Sequence, residues 1–394
     1  DRPDSDHLSI KLVEDGDEAV LPKVDAVALA YVPDSFANVT GVSQDELIAR
    51  WFGGAPRLTN TYDTPWGKIG VVMLPFFEVD LYKDGSALRP AILEALRLAA
   101  RLGAKNVSLT GAIPAVTDGG RDIVTWVNGE GVNLPIITTG DATRAATVVK
   151  SVEGILDQAR REISASRVAF VGLGSIGKGA LELMLEVLPH PKSLTLSDFY
   201  RTDERLDSIQ DQLLANGFAG EITLAPANDR LPDEVYEADL IIGATSVPGA
   251  IDVDKLKPGA LLVDYSFPPA FRAVDAIRRS AEAGDILFTT GGQLSLEQDV
   301  EETVFLPEAA AGLIESIGVE KLTTLAGRDG REMTGCVLAS VFTWMSSDLR
   351  VTLGPLTGAD ALAHYRNLGE LGLRPARLQI AGYFLPAETV ERYR

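Results

Sequence analysis

Cysteine is nearly absent from this 394-residue chain, which has one, Cys336. A single thiol excludes an intrachain disulfide and leads to the expectation of a reducing, cytoplasmic setting. Histidine is almost as scarce. His7, His190 and His364 lie in separate polar segments, so neither they nor the thiol offer metal-ligand spacing, and no metal is expected. No apolar run approaches the ~20 residues that cross a bilayer. The opening DRPDSDHLSI has neither the basic nor the apolar region of a secretory signal, although the missing initiator Met is compatible with a trimmed leader. Basic residues are outnumbered, 36 Lys and Arg against 56 Asp and Glu, giving a formal net charge of −20. A field of that sign repels nucleic acid and anionic membranes, and an acidic protein partner would need a local basic patch.

What is present is an ordinary globular composition, 46% hydrophobic and 23% charged, in a chain long enough for two or three domains. Up to about residue 162, apolar strands alternate with helical segments. Val24–Tyr31, Ile69–Leu74, Lys105–Leu109 and residues 136–141 read as strands. Ala91–Leu102 places Leu93, Leu96 and Ala100 on one helical face, and a second helix runs from about Ala142 to Arg161 with Asp141 or Thr143 near its start. Six short apolar strands then recur with helical spacers: Val168–Val171, Leu194–Ser197, Ile222–Leu224, Leu240–Ala244, Leu261–Asp264 and Ile286–Thr289. That alternation predicts a parallel doubly wound sheet. After Pro307 the pattern turns helical, and GCVLASVFTWM (335–345) is apolar all round, as a buried helix is. The expected organisation is an α/β N-terminal substrate domain (1–162), a Rossmann domain (163–306) and a C-terminal helical region (307–394) that carries Cys336 and completes the first domain.

GLGSIG (172–177) lies directly between the first of the six strands and a helical segment. In that context Gly172 permits a tight turn, Gly174 lets backbone approach a pyrophosphate, and Gly177 lets helix and strand close up. Ser175 and Ile176 bring helix N–H groups to the phosphates. The expectation is a nicotinamide dinucleotide. Asp198 follows the second strand, 21 positions beyond Gly177, where an acid binds the ribose 2′-hydroxyl of NAD. Arg201, Thr202 and Arg205 follow at once, resembling the loop by which shikimate dehydrogenase-like proteins hold a 2′-phosphate, and arginine's fork suits that group. The balance favours NADPH, with NADH possible; a solvated loop is the plain alternative for the arginines. Ala244, Thr245 and Ser246, Asp264, and Gly291 and Gly292 end later strands, where open α/β sheets bind ligands, and are expected near the nicotinamide.

Taken alone, Cys336 reads first as a packed residue of an apolar helix, since free cysteine is commonly buried. A reactive thiol needs exposure and a lowered pKa, which a helix N-terminus provides, and position 336 begins the helix after Thr334-Gly335. Four segments in order resemble the aldehyde-forming acyl-carrier-protein reductases of cyanobacteria: AILEALRLAARLGAKNVSLTGA (91–112), ITTGDATRA (137–145), residues 238–271 from ADLIIGATSVPGAI to LLVDYSFPPAF, and REMTGCVLASVF (331–342). The resemblance places that family's acylated cysteine at Cys336. It implies attack of the thiolate on an acyl thioester, of a carrier protein or coenzyme A, followed by reduction with NADPH to an aldehyde. It puts Thr110, Gly111, Thr139, Gly140 and Asp141 about the substrate, with backbone N–H groups there as candidate oxyanion donors. The chain departs from the family in its shorter glycine loop, in Asp141 where the family has Asn, and in about fifty extra residues. Carrier-protein docking would draw on Arg89, Arg97, Arg101 and Lys105, or on Arg350, Arg366, Arg374 and Arg377, which otherwise read as solvated helix surface. Two other readings stand beside it. One is a shikimate dehydrogenase-like oxidoreductase acting on a small hydroxy acid, keto acid or imine, although that family's Lys/Asp pair is not evident. The other is a dinucleotide-binding sensor without turnover.

Overall fold

The computed structural model describes residues 8–14, 20–33, 36–37, 41–83, 85–130, 134–199, 203–312 and 330–394. The chain divides into two units, Asp1–Gly140 with Leu296–Pro355, and Asp141–Ser295 with Leu356–Arg394. These boundaries differ from the expected 162/163 and 306/307. The stretch expected to form one C-terminal region is shared, with Cys336 in the first unit and the last 39 residues in the second.

The reason for the first return is a strand. In the first unit β1 (Leu8–Val13), β2 (Ala26–Val32), β3 (Arg57–Thr64), β4 (Gly67–Phe77), β5 (Asn106–Leu109), β6 (Ile136–Thr138) and the late β14 (Glu301–Pro307) form one sheet. Its order is β1-β14-β3-β4-β2-β5-β6. β14 lies parallel to β1 and antiparallel to β3, so Glu301–Pro307 belongs to this sheet and not to the other. Strand periodicity sends Val27 and Leu29 of β2, Val72 and Leu74 of β4, and Val107 and Leu109 of β5 to one face. There they share a core with Leu88, Ile92 and Leu96 of α1 (Gly85–Arg101) and Ile123 of α2 (Arg121–Glu130). On alternate positions β2 offers small Ala26 and Ala28, and β5 offers Asn106 and Ser108, all buried. α7 (Gly335–Met345) packs on β5, β2 and β4. Asn106 Nδ2 donates to Thr343 Oγ1 of α7 at 3.0 Å, which satisfies polar groups that burial would otherwise penalise.

The second unit carries the predicted parallel sheet. Its strands are β7 (Arg167–Val171), β8 (Ser193–Ser197), β9 (Glu221–Leu224), β10 (Leu240–Gly243), β11 (Leu261–Asp264) and β12 (Leu287–Thr290). The spatial order β12-β11-β10-β7-β8-β9 is the 3-2-1-4-5-6 arrangement of a Rossmann sheet, every pair parallel. β13 (Gln293–Ser295) pairs antiparallel with Arg374–Pro375. α3 (Asp141–Ala159), α4 (Ser175–Val187), α5 (Asp203–Ala215) and α6 (Ala273–Glu282) surround the sheet, and α8 (Gly358–Glu370) lies against α3 and α4. No helix among the described residues is long and apolar enough to cross a membrane.

Candidate dinucleotide site and the Cys336 region

The strand order reverses between β7 and β10, and the glycine-rich loop leaves β7 at that point. Gly172 has φ +94°, and a Cβ there would lie 2.4 Å from the Ala244 carbonyl oxygen. A Cβ on Gly177 would lie 2.0 Å from the carbonyl oxygen of Gly172. Both glycines are therefore required by close approach, of β7 to β10 in one case and of the loop to α4 in the other. Gly174 is the N-cap of α4 and supplies no capping side chain, leaving first-turn N–H groups to other acceptors. Ser175 Oγ turns aside to donate to Asp141 Oδ2 at 2.7 Å, while Ile176 is half-buried in the same turn.

The acid after β8 is engaged with this loop. Asp198 is buried, and its Oδ2 accepts from the Leu173 N–H at 2.7 Å. It thus braces the glycine loop. Arg205 lies exposed on α5; Arg201 and Thr202 lie outside the described residues. At the end of β10, Ala244 is half-buried, Thr245 buried and Ser246 exposed. The Thr245 N–H donates to Ser266 Oγ at 3.0 Å, which links the loops after β10 and β11.

Asp264 organises the second of those loops. Its Oδ1 accepts from the Ser266 N–H at 3.0 Å and its Oδ2 from the Ala270 N–H at 2.8 Å, around a cis Phe267-Pro268 bond. Burial raises its pKa to about 6, and the hydrogen bonds of Ser266 and Ala270 pull in the other direction. Gly243 leaves room for this carboxylate, since a Cβ there would sit 2.5 Å from Asp264 Oδ1. Gly291 and Gly292 are likewise pressed against Tyr265. The expected nicotinamide-side segments are thus together at the carboxyl edge of one sheet.

Asp141, expected beside the substrate, belongs to this unit. It is 4% exposed in the first turn of α3, paired with Arg144 at 3.3 Å as well as with Ser175. Two helix starts, those of α3 and α4, are joined through its carboxylate.

The other expected substrate residues gather in the first unit. Parallel pairing of β5 with β6 sets Thr110-Gly111 beside Thr139-Gly140 at the carboxyl ends of the two strands. Three of those backbone N–H groups are committed: Thr110 to the Leu29 carbonyl, Thr139 to the Thr352 carbonyl and Gly140 to Thr138 Oγ1. They are not open oxyanion donors. Gly111 is exposed with φ +54°, and no partner for its N–H occurs among the described residues. Ser108 Oγ donates to the Cys336 carbonyl at 2.9 Å, fixing the start of α7 over β5. Cys336 is the second residue of α7 and half-exposed, and its thiol donates to Thr334 Oγ1 at 3.3 Å. Thr334, the N-cap, makes no capping bond, so the first-turn N–H groups face the thiol's end of the helix. Sequence reading missed Ser108, although the polar alternation Asn106, Ser108, Thr110 signalled a strand face that meets a partner.

A cavity of about 510 Å³ opens on the first unit. Its walls are mainly apolar and include Phe36, Trp51, Phe52, Leu306 and Val337, the residue after Cys336. Of the basic residues considered for carrier docking, Arg97 and Arg101 both pair with the one carboxylate of Glu94, at 3.5 and 3.3 Å, and both are exposed. No group of three His, Cys, Asp or Glu side chains among the described residues could hold a metal.

No family model matches the sequence, and no curated protein matches it significantly. Among solved structures the chain is similar to L-tryptophan dehydrogenase from Nostoc punctiforme, with 14% identity, TM-score 0.37, and 88% of this chain and 90% of the other covered. It is also similar to shikimate 5-dehydrogenase from Listeria monocytogenes, with 12% identity, TM-score 0.33, and 68% and 86% covered. Quinate dehydrogenase from Corynebacterium glutamicum follows with 16% identity, TM-score 0.32, and 66% and 87% covered. At these values the likenesses carry no functional argument.

Proposed function

We propose that the chain is an oxidoreductase that works with a nicotinamide dinucleotide, NADPH or NADH. The observation that carries this reading is the switch point of the second unit. Gly172, ahead of the uncapped start of α4, and Gly177, in its first turn, let the loop, β10 and the helix close up with no side chain between them. A pyrophosphate is the group that needs both a side-chain-free approach and helix N–H donors, so these residues fit it. Gly172, Gly174, Ser175, Ile176 and Gly177 would hold the phosphates. Asp198 would meet the adenosine ribose, and the loops of Thr245, Asp264 and Gly291 would border the nicotinamide. When bound, the dinucleotide supplies the reducing equivalents.

For the reaction we infer reduction of an acyl thioester through Cys336. The thiol sits on the first turn of an eleven-residue helix and is half-exposed, where a thioester can reach it. The thiolate attacks the thioester carbonyl carbon. A bond forms to Sγ, the carbon–sulfur bond to the carrier breaks, and the carrier thiol departs with the proton Cys336 gave up. The exposed Gly111 N–H is the remaining backbone candidate for the developing oxyanion. The apolar cavity whose lining includes Val337 suits an acyl chain rather than a polyhydroxylated acid.

The second reading is non-covalent chemistry on a small hydroxy acid, keto acid or imine. Two Lys/Asp pairs occur among the described residues of the first unit: Lys68–Asp63 at 2.9 Å lies at the β3–β4 hairpin, away from the carboxyl ends of β5 and β6, and Lys83–Asp80 at 3.2 Å follows the carboxyl end of β4 with its lysine exposed. Cys336→Ala separates the two readings. Under the thioester reading it abolishes aldehyde formation and leaves dinucleotide binding intact. Retained turnover with any substrate of the second class overturns the covalent step and leaves the oxidoreductase reading standing.

A further inference from the structure

Asp264 is a buried carboxylate at the end of β11, 4% exposed. It leans toward β10, since its Oδ1 occupies space that Gly243 leaves open and a Cβ there would lie 2.5 Å from it. The residue after Gly243 is Ala244, whose carbonyl oxygen crowds Gly172 of the glycine loop. The carboxylate is therefore held against the strand end that adjoins the switch point. Strand order gives the direction in which a dinucleotide lies. The glycine loop follows β7, and Asp198, assigned to the adenosine ribose, follows β8 on one side of it. The pyrophosphate joins the two halves of such a cofactor, so its nicotinamide half extends to the other side, across the ends of β10 and β11. Asp264 lies on that side.

No cation accompanies it. What acts on its ionisation is burial, opposed by hydrogen bonds from Ser266 and Ala270, none of them charged. β10 and β12 flank it and carry no charged residue, and in the loop 265–270 only Tyr265 is titratable. α3 packs on β11, with its Asp141 paired to Arg144, its Lys150 to Glu153, and its Asp157 exposed. A buried carboxylate without a cation is costly, and its field acts on whatever binds nearby. The oxidised and reduced forms of a nicotinamide dinucleotide have the same phosphates and the same adenosine. They differ by one positive charge on the nicotinamide ring, left when hydride departs with its electron pair. We propose that Asp264 reads that difference: ionised, it holds the oxidised dinucleotide more tightly than the reduced one and so biases the bound cofactor toward giving up hydride. This rests on the dinucleotide reading and on no particular substrate.

The test is a ratio of affinities and needs no turnover. The full chain is titrated calorimetrically with both forms of the dinucleotide it prefers, NADPH and NADP+ or NADH and NAD+, at about pH 8 and about pH 5. Groups of the dinucleotide that titrate in this range are common to both forms and cancel in the ratio. At an effective dielectric constant of about 20, a unit charge about 10 Å from a carboxylate changes a binding constant on the order of tenfold. At the higher pH, Asp264→Asn should lower the preference for the oxidised form by about that factor. Burial raises the Asp264 pKa to about 6, so in the unaltered chain the same preference should fall about fivefold between the two pH values, and in the variant it should not. Distortion of the loop by the variant weakens both forms alike and leaves their ratio unchanged. If Asp264→Asn does not fold, the pH dependence of the unaltered chain remains as the criterion. A ratio that is the same at both pH values overturns the proposal and leaves the dinucleotide reading standing. Failure to bind either form overturns the dinucleotide reading, and the proposal with it.

Discussion

Replacing Gly177 by alanine sets two known effects against each other. In the interior of a helix the change favours folding by about 0.5–1 kcal/mol, because alanine loses less backbone freedom than glycine. Here the new Cβ would lie 2.0 Å from the Gly172 carbonyl oxygen and 3.2 Å from the Ala244 Cβ. Ordinary carbon–oxygen contacts begin near ~3.3 Å, so the loop and α4 must separate by more than an ångström. Overpacking of that kind costs roughly 1–3 kcal/mol, which outweighs the helix gain. The same separation moves the first-turn N–H groups away from where a pyrophosphate would meet them. Losing one charge-assisted bond there weakens dinucleotide binding about tenfold or more. The assay is calorimetric titration with NADPH and NADH, alongside thermal unfolding. Gly129→Ala is the control: it lies in α2 with nothing within 4 Å of its Cβ, and it should leave binding unchanged. Binding by Gly177→Ala within threefold of the unaltered chain would refute the assignment of the loop.

Cys336→Ala should eliminate acyl transfer, and an acyl thioester offered without dinucleotide should add its acyl mass to the unaltered chain and not to the variant. Asp198→Asn removes a charge from the acceptor of the Leu173 N–H. It should weaken NADH binding and raise the ratio of NADPH to NADH affinity, read from the two dissociation constants. Asp264 should titrate near pH 6 in a carboxyl-carbon NMR titration, with the Ser266 and Ala270 amide signals following it. The sign follows from its raised folded pKa. The stability it contributes is fully present below about pH 4, where the unfolded carboxyl is also protonated. As pH rises to about 6, roughly 3 kcal/mol is lost. A midpoint at the ordinary carboxylate value would show that the two amide bonds outweigh burial.

The six strands of the second unit were legible because each is a short, largely apolar run between turns; β7, β10, β11 and β12 are buried nearly throughout, whereas β9 at the edge is only partly buried. The glycines were legible because their spacing follows from backbone clearance alone. What the sequence concealed were features set by non-local pairing. β14 reads as a polar-to-apolar transition, Glu301-Glu302-Thr303 running into Val304-Phe305-Leu306, and only its place between β1 and β3 makes it a strand of the N-terminal unit. Asp141 sits in a segment whose family resemblance suggested substrate, yet its carboxylate meets Ser175, 34 residues away. The register shift that skips Thr59, where β3 pairs Leu58 with Val72 and then Asn60 with Val71, has no local signature, because it exists only in the mismatch between two strands.

The same non-local construction makes a prediction about truncation. The segment after Pro355 contains α8, which covers α3 and α4. Leu356 fills the space left by Gly179, whose Cβ would come within 2.3 Å of its Cδ2. His364 Nδ1 shares a hydrogen bond with Thr143 Oγ1 at 2.9 Å, and Tyr365 Oη donates to Glu153 Oε1 beneath Lys150. α3 is buried along nearly its whole length, including Ala145, Val148, Val149 and Val152. A chain ending at Pro355 would bare part of this surface. At about 25 cal/mol per Å² of apolar area, uncovering a few hundred Å² exceeds ~5 kcal/mol, comparable to the whole stability of a domain. The β14 strand and α7 remain in such a chain, so the sheet of the first unit keeps all its strands. Loss should therefore be selective: amide protection in β7 to β12 collapses on hydrogen exchange while β2, β4 and β5 stay protected. Equal protection of both sheets in the truncated chain would mean that the C-terminal helices are an accessory layer, and that the dinucleotide unit is already complete at Ser295.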